Sequence, residues 1–107
     1  MDERTRARFE ARAKIMKALA HTTRLFIVEE LSRGDRCVNE LTEMIGSDTS
    51  TVSKHLSVLR NAGIVSDSKQ GNMVFYKLRT ACVLNFFSCV ETVLQTSLEE
   101  QRKVVGG

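Results

Sequence analysis

No proline interrupts this chain, and glycine occurs only 6 times in 107 residues. Both scarcities favour a mostly helical protein. No apolar run approaches membrane-spanning length, and the start Met1-Asp2-Glu3-Arg4 lacks an apolar signal core, so no membrane association and a cytoplasmic location are expected. The cysteines number three, Cys37, Cys82 and Cys89. An odd count in a non-secreted chain argues against a disulfide framework and for reduced thiols. No linker, repeat or low-complexity segment divides the chain, so residues 1–107 are expected to form a single domain. No Ser-His-Asp set, phosphate loop or carboxylate pair emerges, and Cys37 with His55 makes a dyad only if their other expected roles are ignored. An enzyme is not expected. A large excess of one charge is also missing, the net charge being +3. Its distribution says more. Residues 1–17 carry six Arg or Lys against three acids, residues 47–79 carry five against two, and the remainder is slightly acidic.

The most informative stretch is residues 48–63. Val52, Leu56 and Leu59 fall at helical spacing and make a stripe to bury. Asp48 is placed to cap the helix by accepting from Ser50 or Thr51, and Gly63 to end it in a left-handed conformation. The other face carries Thr49, Ser50, Thr51, Ser53, Lys54 and His55. Short hydroxyls have little helix propensity of their own. A helix needing only solubility would carry Glu, Lys and Gln there. This face suits a helix pressed against phosphates and base edges in a major groove.

The flanking segments fit that use. Val38, Leu41, Met44 and Ile45 predict a short helix over 38–45. Gly46-Ser47 is a tight connection, so residues 38–63 follow the helix-turn-helix plan. Residues 64–69 and 73–78 read as strands joined through Lys69-Gln70-Gly71-Asn72, with Gly71 and Asn72 tolerant of positive φ. This hairpin, 64–78, is a wing whose tip offers Lys69, Gln70 and Asn72 to DNA. The basic balance of 47–79 is the footprint expected of such a surface; the competing reading is a solvated face of scattered Lys and Arg.

Three motifs carry a resemblance. They are Leu19-Ala20-His21-Thr22-Thr23-Arg24-Leu25, Ser53-Lys54-His55-Leu56-Ser57-Val58-Leu59-Arg60-Asn61-Ala62-Gly63-Ile64-Val65, and Phe75-Tyr76. Together they resemble the ArsR/SmtB family of winged-helix repressors over roughly two thirds of the chain. Thr22 stands where many relatives carry proline. The resemblance implies a mainly α fold with a small β-hairpin, a dimeric winged helix-turn-helix. It also implies a repressor of double-stranded DNA with an inverted-repeat operator, released by an inducer.

The terminal segments suit a homodimer. Residues 4–19 read as an amphipathic helix with Phe9, Ile15, Met16 and Leu19, and residues 23–31 as a more buried helix through Leu25, Phe26, Val28 and Leu31. A last helix from about Thr80, within 80–100, carries Val83, Leu84, Phe86, Phe87, Val90, Val93 and Leu94. That exceeds what one small domain can cover. Adjacent Phe86 and Phe87 point about 100° apart on a helix, so one suits the core and the other a partner. The polar tail after Leu98 is expected to fray.

Many members of the family bind metal ions through thiolates or imidazoles. The histidines here have other expected roles: His21 a structural one, His55 DNA contact or packing. The family's carboxylate-histidine zinc site on the last helix has no histidine to build it. Residues Gly34–Leu41 resemble the family's cysteine-containing metal box. Cys37 matches its first cysteine, Asn39 stands where the second belongs, and Thr42 where some arsenic sensors carry a third. Cys82 and Cys89 would lie about 10.5 Å apart along a continuous helix, whereas sulfurs sharing one ion sit at most about 4.6 Å apart. Either the helix starts after Cys82, or the two serve different sites, or one joins Cys37 or a partner subunit. Three soft thiolates as metal ligands suit As(III) or another thiophilic metal(loid) better than zinc or nickel. No cofactor is needed for DNA binding itself. Buried inert cysteine, a redox or reactive-sulfur switch, and a winged-helix protein-interaction module remain the alternatives.

Overall fold

Asp2 accepts the Thr5 backbone N–H at 2.7 Å and starts helix α1 (Glu3–Leu19). Only two residues turn the chain into α2 (Thr22–Leu31), and the second, His21, is itself a cap: its ring nitrogen accepts the Thr23 N–H at 3.1 Å. The computed structural model describes residues 1–106. After α2 come β1 (Arg36–Cys37), α3 (Val38–Ile45), α4 (Thr49–Asn61), β2 (Val65–Gln70), β3 (Met73–Leu78) and α5 (Val83–Gly106). The strands form one antiparallel sheet in the order β1-β3-β2.

The core collects one face from each of the first four helices and the roots of the strands. Leu19, Ile27, Val28, Leu31, Leu41, Val52, Leu56, Leu59, Ile64, Val65 and Tyr76 are buried in one cluster. In α2 the buried face is Ile27, Val28 and Leu31, while Leu25 and Phe26 are more than a third exposed. The expectation that Leu25 and Phe26 are buried is thereby corrected. Positions 24, 27, 28 and 31 share one helical stripe, and that stripe faces α4; Leu25 and Phe26 project toward α5. Glu30 is buried at the end of α2, 2.8 Å from Arg33 and 3.6 Å from Arg36, which ties the helix to β1.

The two-residue β1 was not anticipated, since a strand that short shows no alternation. Arg36 pairs with Tyr76 and Cys37 with Phe75. The hairpin turn is also tighter than expected. Strand pairing continues from Val65↔Leu78 to Gln70↔Met73, leaving Gly71 and Asn72 alone in the loop. Gly71 takes φ +64° and is the only residue of the pair in the left-handed region, as in two-residue turns with glycine first.

Helix α5 begins after Cys82 rather than near Thr80. Residues 80–82 make an entering turn, their carbonyls accepting N–H bonds from Val83, Leu84 and Asn85 at 3.1–3.2 Å. The fraying expected after Leu98 is not found: the helix runs on through Gly106, and Gly107 lies outside the described residues. Glu99, Glu100, Gln101, Arg102 and Lys103 are strong helix formers, and Glu99 precedes Lys103 by four residues, a favourable pairing on a helix. Val83 and Phe87 pack against the core, whereas Phe86 is 44% exposed. Beyond them α5 leaves the domain. The radius of gyration is 17.2 Å, against about 13 Å for a compact chain of this length.

Leu56 is fully buried on α4, so Leu56→Ala should lower unfolding free energy by about 2–5 kcal/mol in a urea titration. Val58→Ala, on the exposed side of the same helix, should change it by less than about 1 kcal/mol.

Candidate nucleic-acid interface

The connection between α3 and α4 fixes how the second helix is presented. Gly46 adopts φ 78° and its N–H returns to the Thr42 carbonyl at 2.9 Å, closing α3 in a left-handed cap that disfavours side chains with a Cβ. Asp48 then caps α4, its carboxylate accepting from the Thr51 hydroxyl and from the Thr51 backbone N–H at 3.3 Å. These bonds, the hydroxyl's first, hold the Asp48 carboxyl below its ordinary range. The far end is closed by Gly63 at φ 81°, and the Ile64 N–H reaches back to Leu59 at 3.0 Å.

Between these caps α4 is two-sided. Val52, Leu56 and Leu59 are fully buried against the core. Thr49, Ser50, Thr51 and Lys54 are exposed, and Ser53 is half-buried at the edge of the same face. Thr51 differs from its neighbours because its hydroxyl is already engaged by Asp48. His55 differs more. It is half-buried, its Nδ1 lies 3.2 Å from the Arg24 guanidinium, and its ring centroid is 4.4 Å from that of His21. Burial first, then His21 and Arg24, hold the His55 imidazole below its ordinary 6.5.

The wing stands beside this face. Lys69, Gln70 and Asn72 are exposed at its tip, with Ser68 and Met73 beside them. Its root is tied to α4 by Arg60, whose guanidinium donates to Asp67 of β2 at 3.0 Å. Reading helix and wing are therefore joined through packing and through one ion pair. The sequence reading missed the roles of Arg24 and Arg60. Arg24 was legible in principle from its i, i+3, i+4, i+7 spacing with Ile27, Val28 and Leu31.

The three cysteines are dispersed in their surroundings. Cys37 is 2% exposed in β1, while Cys82 and Cys89 are exposed at the start of α5 and on its surface. Among the described residues, no three His, Cys, Asp or Glu side chains come together in a set that could hold a metal ion. One chain as folded does not assemble a three-thiolate site. Cys37 takes part in a different arrangement: its backbone N–H donates to Glu40 at 3.0 Å, and that bond holds the Glu40 carboxyl below its ordinary value. No helix of the described residues is long and apolar enough to cross a membrane.

A helix-turn-helix with a hydroxyl- and lysine-bearing second helix, followed by a basic hairpin at its side, defines a winged helix-turn-helix of the DNA-binding regulator class. Comparison with known proteins agrees. Residues 21–67 match the family model described as bacterial regulatory protein, arsR family. The chain is 32% identical over 98 residues to an uncharacterized HTH-type transcriptional regulator of Mycobacterium tuberculosis, Rv0081, covering 91% of this chain and 86% of that protein. The crystal structure of Rv0081 superposes with a TM-score of 0.77 over 87% of this chain and 94% of that one. The biofilm growth-associated repressor of Xylella fastidiosa is 34% identical over 84 residues, 78% of this chain and 74% of that protein. A homodimeric winged helix-turn-helix DNA-binding domain from Mycobacterium bovis, a possible ArsR-family regulator, is 29% identical. Its solution structure matches with a TM-score of 0.78 over 94% of this chain and 93% of that one. The chain belongs to the ArsR/SmtB family of winged-helix transcriptional regulators. Its fold and its relatives are those of regulators, not of enzymes.

Proposed function

We propose that two copies of this chain form a cytoplasmic repressor that reads an inverted-repeat operator in double-stranded DNA. Its thiolates then release the operator on binding a thiophilic metal(loid), As(III) being the expected one. The observation that carries the DNA-binding half is the two-sided character of α4: three fully buried aliphatic residues behind, hydroxyls and Lys54 in front. Thr49, Ser50, Thr51, Ser53 and Lys54 are the proposed contacts of the helix. Lys69, Gln70 and Asn72 are those of the wing. His55 is held from behind by Arg24, so its part in reading is through Nε2 or through the position it gives the helix.

Dimerisation is supported by apolar surface that one copy leaves open. A groove of about 900 Å³ lies between the α1–α2 elbow and α5, lined by Met16, Leu25, Phe26, Phe86 and Val90. Farther along α5, Leu94 is 52% and Leu98 64% exposed. Exposed apolar surface of this continuity marks an interface, and the M. bovis relative is described as homodimeric. The Xylella relative is described as a repressor, which supports that direction of regulation here. Sedimentation at micromolar concentration should give a dimer for the wild type and monomer for Phe86→Glu; a monomeric wild type would remove this part of the proposal.

The inducer half rests on Cys82 and Cys89. Both are exposed and both belong to the region around the proposed dimer helix, where an added ligand can change the angle between two reading heads. Such differential stabilisation of a non-binding state is what any inducer must supply. An oxidant or reactive sulfur species is the second reading. The dispersal of the three cysteines in one chain favours it, because accessible thiols suffice for oxidation whereas a soft ion needs several at once.

Two sets of measurements separate these parts. On a duplex selected by the protein from a random pool, Ser50→Ala and Lys54→Ala together should cost about 1–3 kcal/mol of binding. Lys69→Ala should weaken all sequences alike and reduce the salt slope by about one. Normal binding by the Ser50/Lys54 variant would contradict the assignment of α4. Arsenite should release the wild type from that duplex and should fail to release Cys82→Ser or Cys89→Ser, with Cys37→Ser affected less. Release of all three variants like wild type removes the thiols from sensing, and release by peroxide or polysulfide alone selects the second reading.

A further inference from the structure

The chain contains two histidines, and the fold packs one against the other, His21 at the head of α2 and His55 on α4, ring centroids 4.4 Å apart and planes tilted by 44°. Arg24 stands behind them. Its Nε donates to the Ala18 carbonyl at 2.6 Å, and Nη2 reaches the Lys17 carbonyl at 3.4 Å. These carbonyls lie in the last turn of α1, where that of Lys17 also accepts the Ala20 N–H at 3.2 Å. The remaining Nη1 lies 3.2 Å from His55 Nδ1. A guanidinium donates and never accepts, so the bond requires a lone pair on Nδ1. That makes His55 neutral, with its proton on Nε2. His21 is anchored beside it, its Nδ1 accepting the Thr23 N–H at 3.1 Å.

A second proton on His55 would set N–H against N–H. The groups acting on His55 are the neighbouring His21 ring and the Arg24 guanidinium, both from the start of α2. The end of α1 presents main-chain carbonyls, already taken by Arg24. Among the described residues no carboxylate lies within ion-pair distance of His55, so none is there to stabilise an imidazolium.

We propose that Arg24, His55 and His21 form a proton-sensitive strut that positions the reading helix against the α1–α2 elbow, so that acidification through the imidazole range weakens DNA binding. All three act as positioning residues, and the inference rests on the reading of α4 as the DNA-reading helix. The sign is what makes it specific. A His55 imidazolium touching phosphate directly would tighten binding on acidification, as any added cation does. The strut gives the reverse. For fold stability the direction is the same: a His held below 6.5 in the folded chain contributes stability fully present above about 6.5. It is lost as pH falls below that value toward the folded one.

The test uses the full-length protein and a duplex that it selects from a random pool at pH 7.5, with affinity measured at fixed ionic strength from pH 7.5 to 5.5. The wild type should weaken by about tenfold, the scale of one lost hydrogen bond to a charged group. His55→Asn places an acceptor oxygen near the Nδ1 position and does not titrate. Whatever its affinity at pH 7.5, it should lose most of the pH dependence between pH 7.5 and 5.5. Wild-type affinity that is flat or rises on acidification overturns the strut while leaving α4 as the reading helix. Full pH dependence in a folded His55→Asn overturns it as well. If His55→Asn does not fold, imidazole nitrogen shifts of the wild type decide: an Nε2–H tautomer for His55 at pH 7.5 supports the strut, and an Nδ1–H tautomer excludes it. Failure to select any duplex, or indifference of binding to Ser50 and Lys54, overturns the DNA reading and the strut with it.

Discussion

Everything outward-facing on α4 depends on what the same helix buries. Thirteen residues of mostly short polar side chains make a poor helix in isolation. Val52, Leu56 and Leu59, all fully buried, supply the packing that offsets this, and the caps at Asp48 and Gly63 limit its length. Because the stripe is fixed in the core, the rotation of the helix is fixed too. Thr49, Ser50 and Lys54 then have no choice of direction. The polar face is free to be weakly helical and rich in hydrogen-bonding groups because its stability is provided from behind.

The rest of the fold extends that constraint outward. Arg60 ties the wing root to α4 at Asp67, Arg24 ties α4 to the end of α1, and Glu30 ties α2 to the β1 edge of the sheet. The exposed pair Arg60–Asp67 is worth little energy by itself; its value lies in orienting two elements that must reach one DNA surface together. Helix α5 belongs to a different economy. Phe87 joins the core while Phe86, Val90, Leu94 and Leu98 stay outside it, so its apolar face needs a second copy to be covered.

Much of this was legible in the sequence because the period of the apolar residues states it directly. The α4 stripe, the Asp48 cap, the Gly63 terminus and the two wing strands follow from spacing and turn chemistry. The opposite roles of Phe86 and Phe87 follow from the 100° step between neighbours on a helix. What was not legible depended on tertiary partners. Leu25 and Phe26 look like core residues, but Ile27 and Val28 are their immediate neighbours, and only the position of α4 decides which pair turns inward. β1 is two residues long and exists because β3 offers it an edge. The extension of α5 to Gly106 was hidden by reading charge as disorder, although Glu, Gln, Arg and Lys are good helix formers. Arg24 and His55 meet across 31 residues of sequence, and no local pattern announces a contact at that separation.

The central claim is that α4 lies in the major groove, twice, on a two-fold site. Attaching a DNA-cleaving reagent to Ser50→Cys in a protein otherwise lacking cysteine tests it most directly. Cleavage should map to major-groove positions in two half-sites with centres about 34 Å, one helical turn, or a multiple of that apart. Cleavage from the minor-groove side, at one location only, or scattered without register would contradict it.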